Sequence, residues 1–261
     1  MKISIFTSNQ PRHVHLINEL SKVSKECYAI VEGKTIFPGK VDDFFKKTKA
    51  TNKYFREVDK AEKKFFKKNS FINKKVKTKF IKHGDLKFIE KKDIEQALNS
   101  DLYIVFGSSY IKGWLINFLI KKKAINIHMG LSPFYRGSSC NFWAVYDENP
   151  EFVGATIHLL SKGLDSGKIL YHALPNKNLK NSFDYTMSSV LSAHRSLIKK
   201  IKNKSIFKIK PHVQNNVLQL RYTKNKNFND KVINNFFARR LYLINLKKNL
   251  KKIPLINPFK I

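Results

Sequence analysis

Lys2-Ile3-Ser4-Ile5-Phe6 runs into Thr7-Ser8-Asn9-Gln10-Pro11, an apolar ladder at Val14, Ile17 and Leu20 follows, and residues 27–31 (Cys-Tyr-Ala-Ile-Val) close the unit. The first five residues alternate polar and apolar side chains, the pattern of a half-buried strand. Ser8 or Asn9 can cap a helix, and Pro11 suits its first position, where a missing N–H costs nothing. Val14, Ile17 and Leu20 recur once per helical turn, and residues 27–31 read as a second strand. Strand, helix, strand opens an α/β domain on a parallel, Rossmann-like sheet. The turn after the first strand contains no glycine. A dinucleotide fingerprint needs glycines there so that the backbone can approach a pyrophosphate. A nicotinamide cofactor is therefore not expected.

The same reading extends along the chain. Residues 102–106 form a continuous apolar strand that ends at Gly107-Ser108-Ser109. A helix over 114–120 follows, with Lys121, Lys122 and Lys123 suited to its C-terminal end. Residues 124–128 form the next strand, 142–146 a short helix, and Asn149-Pro150 marks its exit. Two strands, 152–160 and 169–174, are expected to pair antiparallel through the loop at 163–167. A helix over 183–201 is capped by Ser182 and buries Val190, Leu191, Leu197 and Ile198. The stretch 40–92 reads as a lysine- and phenylalanine-rich helical insertion, whose pairs Phe44-Phe45 and Phe65-Phe66 pack on the main domain. Beyond Lys202 the pattern is short and irregular, with an apolar run at 217–220 and a basic amphipathic tail from Val232. The expected organisation is a domain over 1–205, including that insertion, and a short basic C-terminal extension over 206–261.

With 42% apolar residues in 261, the chain can bury a sizeable core. No run approaches the roughly 18 apolar residues of a transmembrane helix, and the start lacks the features of a signal peptide. A cytoplasmic protein with no membrane partner is expected. Cys27 and Cys140 are the only cysteines, too few for a disulfide scaffold or a Cys-rich zinc site. The net charge of +32 attracts phosphates and nucleic acid. The excess is mostly lysine, however, and accompanies abundant Asn, Ile and Phe, which share A/T-rich codons. A solvated lysine surface is the better reading than a nucleic-acid interface.

Three polar residues stand out among core-like neighbours. Asn126 and His128 are two apart on one strand, so their side chains leave the same face. At the strand's carboxyl end they enter the crevice where open α/β sheets bind ligands. An amide there can donate to a developing oxyanion, and an imidazole can pass a proton near neutral pH. Asp165 lies in Gly163-Leu164-Asp165-Ser166-Gly167, where flanking glycines let a carboxylate approach another backbone. Singly, each is more often structural. His13, His15, His158 and His172 show no ligand spacing and read as structural, so no metal is expected. Gly137-Ser138-Ser139-Cys140-Asn141 lacks the pattern of a nucleophile elbow.

The combination resembles a known family. Asn126-x-His128, Leu131-Ser132-Pro133-Phe134-Tyr135-Arg136-Gly137, Trp143-Ala144, Gly154-Ala155-Thr156-Ile157-His158 and Leu164-Asp165-Ser166-Gly167-x-Ile169 resemble, in order and spacing, the 10-formyltetrahydrofolate-dependent formyltransferases. The resemblance implies a mostly parallel formyltransferase sheet with 10-formyltetrahydrofolate as formyl donor, and catalytic roles for Asn126, His128 and Asp165. It implies that Leu131, Ser132, Pro133 and Gly137 line the folate pocket, with Phe106, Gly107, Ser109, Tyr110 and Ile111 around the pterin. Tyr135 and Arg136 are expected to reach the acceptor or the folate tail. The family's Ser-Leu-Leu-Pro stands here as Gly130-Leu131-Ser132-Pro133. The expected acceptor is a small amine such as a nucleotide-linked amino sugar. Methionyl-tRNA is the alternative, and a non-catalytic basic protein binding nucleic acid on the same scaffold is the third reading.

Overall fold

The computed structural model describes residues 1–33, 48–67, 71–244 and 253–260. Among these residues ten strands and seven α-helices follow one another as β1 (Lys2–Ser8), α1 (Pro11–Val23), β2 (Glu26–Gly33), α2 (Lys49–Phe66), β3 (Val76–Lys82), α3 (Glu95–Leu98), β4 (Leu102–Phe106), α4 (Gly113–Lys121), β5 (Ile125–His128), β6 (Tyr135–Gly137), α5 (Cys140–Tyr146), β7 (Ala155–Leu159), β8 (Ile169–Leu174), α6 (Ser182–Lys202), β9 (Arg221–Thr223), α7 (Asp230–Ala238) and β10 (Phe259–Lys260). Eight strands make one sheet in the order β10-β8-β7-β5-β4-β1-β2-β3, and β6 pairs with β9 in a second, two-stranded sheet. Only β7 runs against its neighbours in the large sheet.

Period-two patterning divides this sheet cleanly. Ile3, Ile5, Cys27, Ala29, Val31, Leu102, Ile104 and Phe106 enter the core beneath α1, α2 and α6. Phe6, Tyr28, Ile30, Tyr103 and Val105 face the other way, onto Leu115 and Leu119 of α4. Both faces are covered, which is why the central strands read as nearly continuous apolar runs. The strand order reverses between β1 and β4, and the crevice at the carboxyl ends near that reversal is where such sheets bind ligands.

Two helix caps differ from the expectation. Gln10, not Ser8 or Asn9, is the N-cap of α1, with no side-chain hydrogen bond, and Pro11 opens the helix. For α6 the cap is Asn181, whose Oδ1 accepts from the Phe183 and Asp184 N–H groups. Ser182 is already inside the helix, because an Asn side chain in extended backbone reaches both orphan donors first. The strand expected from 152 starts at Ala155, since Pro150–Phe152 turns as a 3₁₀ segment after Asn149.

The stretch read as an insertion is built into the domain. Phe44-Phe45 lies outside the described residues, but Phe66 at the end of α2 is buried and Phe65 packs against the core. β3 pairs in parallel with β2 along all seven of its residues, as the edge strand of the sheet. The C-terminal stretch also returns to the fold: β9 pairs with β6, and β10 adds a strand beside β8.

Candidate active site

β5 ends at His128, and antiparallel β7 lies beside it with His158 directly opposite Asn126. The loop between β7 and β8 then brings Asp165 over both strands. His128 Nδ1 stands 3.3 Å from Asp165 Oδ2, and His158 Nε2 stands 3.8 Å from Asp165 Oδ1. Asn126 Nδ2 lies 3.0 Å from His158 Nε2 and 3.5 Å from Asp165 Oδ1. The structure therefore brings the three predicted residues together and adds a fourth. His158 Nδ1–H donates to Leu159 O at 2.8 Å. That bond leaves Nε2 as an acceptor, so Asn126 is held by one N–H with its amide nitrogen facing the carboxylate.

Access to this cluster is through a cleft of about 670 Å³. Asp165 is almost buried, with a side chain 9% exposed, and His128 is 6% exposed. Burial pushes the His128 imidazole below its ordinary value, against the attraction of Asp165. Burial also acts to raise the Asp165 carboxyl. The charge of His128, contacts with His158 and the Gly137 N–H together outweigh it, so the carboxyl lies below the usual carboxylate value. At neutral pH the site holds a carboxylate beside a neutral imidazole. His128 Nε2 lies 3.3 Å from Tyr135 O, so each ring nitrogen faces an oxygen acceptor. A neutral ring satisfies one of them; an imidazolium satisfies both.

The backbone around Asp165 is constrained. Its φ of 49° is left-handed, a region that costs a non-glycine residue energy and persists where the surroundings enforce it. Gly167 packs so tightly on β7 that a Cβ would stand 1.7 Å from Leu159 O.

Of the residues expected to bind folate, Phe106, Gly107, Ser109, Tyr110, Ile111 and Gly137 line the cleft. Leu131, Ser132 and Pro133 do not. Leu131 lies in the core, and Ser132 is fixed by its N–H to Thr156 Oγ1 and its carbonyl to His172 Nε2. Tyr135 and Arg136 also stay behind the wall: Tyr135 donates to Asp147, and Arg136 reaches Leu164 O in the Asp165 loop. Arg136 therefore contacts the site through backbone rather than through the cleft. Cys140 is buried, and burial followed by the charge of Asp165 pushes its thiol well up, so it remains protonated. Among the described residues no group of three or more His, Cys, Asp or Glu side chains is arranged to hold a metal ion.

The opposite wall was not foreseen. Tyr54, Phe55 and Val58 of α2 face Met187 and Val190 of α6, together with Asn225 and Phe228 from the chain beyond β9. Arg12, paired with Glu62 at 2.9 Å, is the only Lys or Arg in the cleft lining among the described residues. None of the lysines among the described residues lines the cleft.

The Asn–His–Asp cluster thus sits at the carboxyl end of β5 in a mostly parallel α/β sheet. The formyl transferase family model matches residues 1–198, and the chain belongs to that family. A methionyl-tRNA formyltransferase of Synechococcus sp. (strain JA-3-3Ab) is 33% identical over 78 residues, which are 30% of this chain and 24% of that protein. The chain thus matches about a quarter of the length of this curated relative. Among solved structures, a 4-N formyltransferase from Francisella tularensis superposes with a TM-score of 0.51 at 19% identity, covering 85% of this chain and 76% of that one. An N-formyltransferase from Helicobacter canadensis, in complex with folinic acid and dTDP-3-aminofucose, gives 0.54 at 15% identity over 95% and 85%. At these identities the likeness is one of fold. No helix among the described residues is long and apolar enough to cross a membrane.

Proposed function

We propose that this chain transfers a formyl group from 10-formyltetrahydrofolate to a primary amine of a small molecule, such as a nucleotide-linked amino sugar. The observation that carries the reading is the convergence of Asn126, His128 and Asp165 on one cleft. Family membership supports the donor. One end of the cleft fits a flat heteroaromatic ring: Val105, Phe106, Ile111 and Leu160 supply apolar walls, and the backbone at Gly107 is exposed. The bound folate supplies an N-linked formyl carbon, and the rest falls to the protein. At rest Asn126 gives one amide N–H to His158 and aims the other at Asp165 Oδ1, 3.5 Å away; that second N–H is the one it turns to the oxyanion that forms as the amine adds. His128, neutral at rest, accepts the amine's proton while Asp165 and Tyr135 O stabilise the resulting imidazolium, and it returns that proton to the departing donor nitrogen as the tetrahedral intermediate collapses and the bond from the formyl carbon to that nitrogen breaks. His158 holds the Asn126 amide in register.

The cleft volume falls within the range of small-molecule sites, and among the described residues Arg12 is its one lining cation, which supports a compact acceptor over a polyanion. The deciding experiment incubates the protein with 10-formyltetrahydrofolate and a panel of amines, including nucleotide-linked amino sugars and charged initiator tRNA, with mass detection of the formamide. His128→Ala and Asp165→Asn should each lower turnover by about 10³-fold while remaining folded. Turnover close to wild type in either variant overturns the assignment.

A second reading, transfer to methionyl-tRNA, is favoured by the sequence similarity to methionyl-tRNA formyltransferases and by the +32 charge. It requires tRNA binding that weakens steeply with salt. Absence of binding at low salt removes it.

A further inference from the structure

The loop that carries Asp165 is held by a side chain far along the chain. Gln214 Nε2 lies 2.8 Å from Asp165 O and 2.7 Å from Gly167 O. Both N–H bonds of one amide thus go to the two carbonyls that bracket Ser166. The amide oxygen is buried and makes no hydrogen bond, so the loop carbonyls set its orientation. The backbone that delivers Gln214 is itself fixed. His212 exchanges both backbone hydrogen bonds with Ile169 at the start of β8, at 2.7 and 2.8 Å. A second brace comes from Arg136, which donates to Leu164 O at 3.0 Å and is steadied by Asn216 and Gln219. The segment after α6, beyond the matched residues 1–198, therefore grips the loop from outside the sheet.

We propose that Gln214 is a positioning residue for formyl transfer, its amide holding the 165–167 backbone so that the Asp165 carboxylate meets His128. This rests on the reading of Asp165 and His128 as the proton-handling pair. The left-handed backbone at Asp165 is the conformation that places its side chain inward, and it needs an external restraint. Gln214 supplies that restraint at the strained residue itself. The charged and titratable groups facing His128 and Asp165 are His158 from β7, Arg136 from β6 and Cys140 from α5. Among the described residues Asp165 is the one anion beside the His128 ring. A loop that relaxes outward therefore lowers the His128 pKa, in the same direction as removal of the carboxylate.

The test compares Gln214→Met, which keeps the length of the side chain without its donors, with Asp165→Asn in the full chain. Gln214→Ala serves as a second variant should the Met substitution fail to fold. Readouts are kcat and KM for the formylated amine, and the His128 titration followed by NMR of protein labelled with ¹⁵N-histidine. The expected result is a loss of roughly 10- to 100-fold in kcat, with KM values within about threefold, and a His128 pKa moved toward that of Asp165→Asn. An unchanged kcat and titration in a folded variant, with Asp165→Asn inactive, overturns the clamp and leaves the proton pair standing. A fall in kcat with an unmoved His128 titration also overturns it, since general loosening would do that. An active Asp165→Asn overturns both.

Discussion

Replacing Gly167 by alanine should disturb catalysis and stability together, where removal of a catalytic side chain disturbs catalysis alone. The added Cβ would stand 1.7 Å from Leu159 O and 2.8 Å from Leu159 C. Non-bonded heavy atoms rest about 3.5 Å apart, so something must move by more than an ångström. No flexible side chain can yield, because both atoms are β7 backbone. Leu159 O accepts from His158 Nδ1, and Leu159 N donates to Lys168 O at 2.9 Å. If β7 gives way, His158 and the Asn126 amide it holds are displaced. If the loop gives way, Asp165 leaves its 3.3 Å contact with His128. Either route misplaces a member of the cluster, and a shift of that size can cost about 100-fold in rate. Overpacking costs about 1–3 kcal/mol, which corresponds to a fall in Tm of about 2–6 °C for a chain of this length. Steady-state turnover and a thermal scan on the same preparation measure both. Gly163→Ala is the control: its Cβ meets the Ser166 hydroxyl, which can swing aside. Near-normal turnover in Gly167→Ala, or equal losses in the two variants, would refute this account of the loop.

Two further predictions concern stability. Arg221 of β9 makes a bidentate ion pair with Asp147, both contacts at 2.7 Å, and stacks 4.5 Å over the Trp143 ring. Arg221→Ala should destabilise the protein by about 2 kcal/mol in urea unfolding, and Arg221→Lys should recover less than half of that, because an ammonium cannot bond as a fork. An effect below about 0.5 kcal/mol would show that β9 is held by its backbone alone. Acid should destabilise the fold through its buried histidines. Burial holds His172 at about 4, and His13, His15, His128 and His194 are lowered in the same direction by the same cause. Between those folded values and about 6.5 the unfolded chain binds more protons, so stability is lost as pH falls through that window. His172 alone should remove about 2 kcal/mol by pH 5, because its Nδ1 accepts from the Ile256 N–H and cannot keep that bond once protonated. Urea midpoints at pH 7 and pH 5 test this, and His172→Gln should flatten the dependence by about that share.

The parts of the fold legible in the sequence are those whose partners are local. The alternation at residues 2–6 and the ladder of Val14, Ile17 and Leu20 give β1 and α1 their period directly. Asn126 and His128 were legible as neighbours because two-residue spacing on a strand means one face, while Asp165 was joined to them only through the family resemblance. β3 was not, since its sequence Val-Lys-Thr-Lys-Phe-Ile-Lys belongs to an edge strand whose lysines face solvent and resemble a loop. Leu131, Ser132 and Pro133 were grouped with the pocket by the family resemblance, but Thr156 and His172 fix that backbone within the core.

His158 and Gln214 show why the remainder of the site was hidden. His158 reaches the cluster only because β7 runs antiparallel to β5 in the register that sets it opposite Asn126, thirty-two residues away. Gln214 reaches Asp165 through one bridge between His212 and Ile169, and neither neighbour, Val213 nor Asn215, carries any periodic signal. Such residues add almost nothing to the apolar core, since Gln214 is half-buried and Val213 is exposed. Selection on stability alone would leave them free to vary. Their effect is on where one carboxylate sits, so substitutions between 212 and 219 should register in turnover well before they register in Tm.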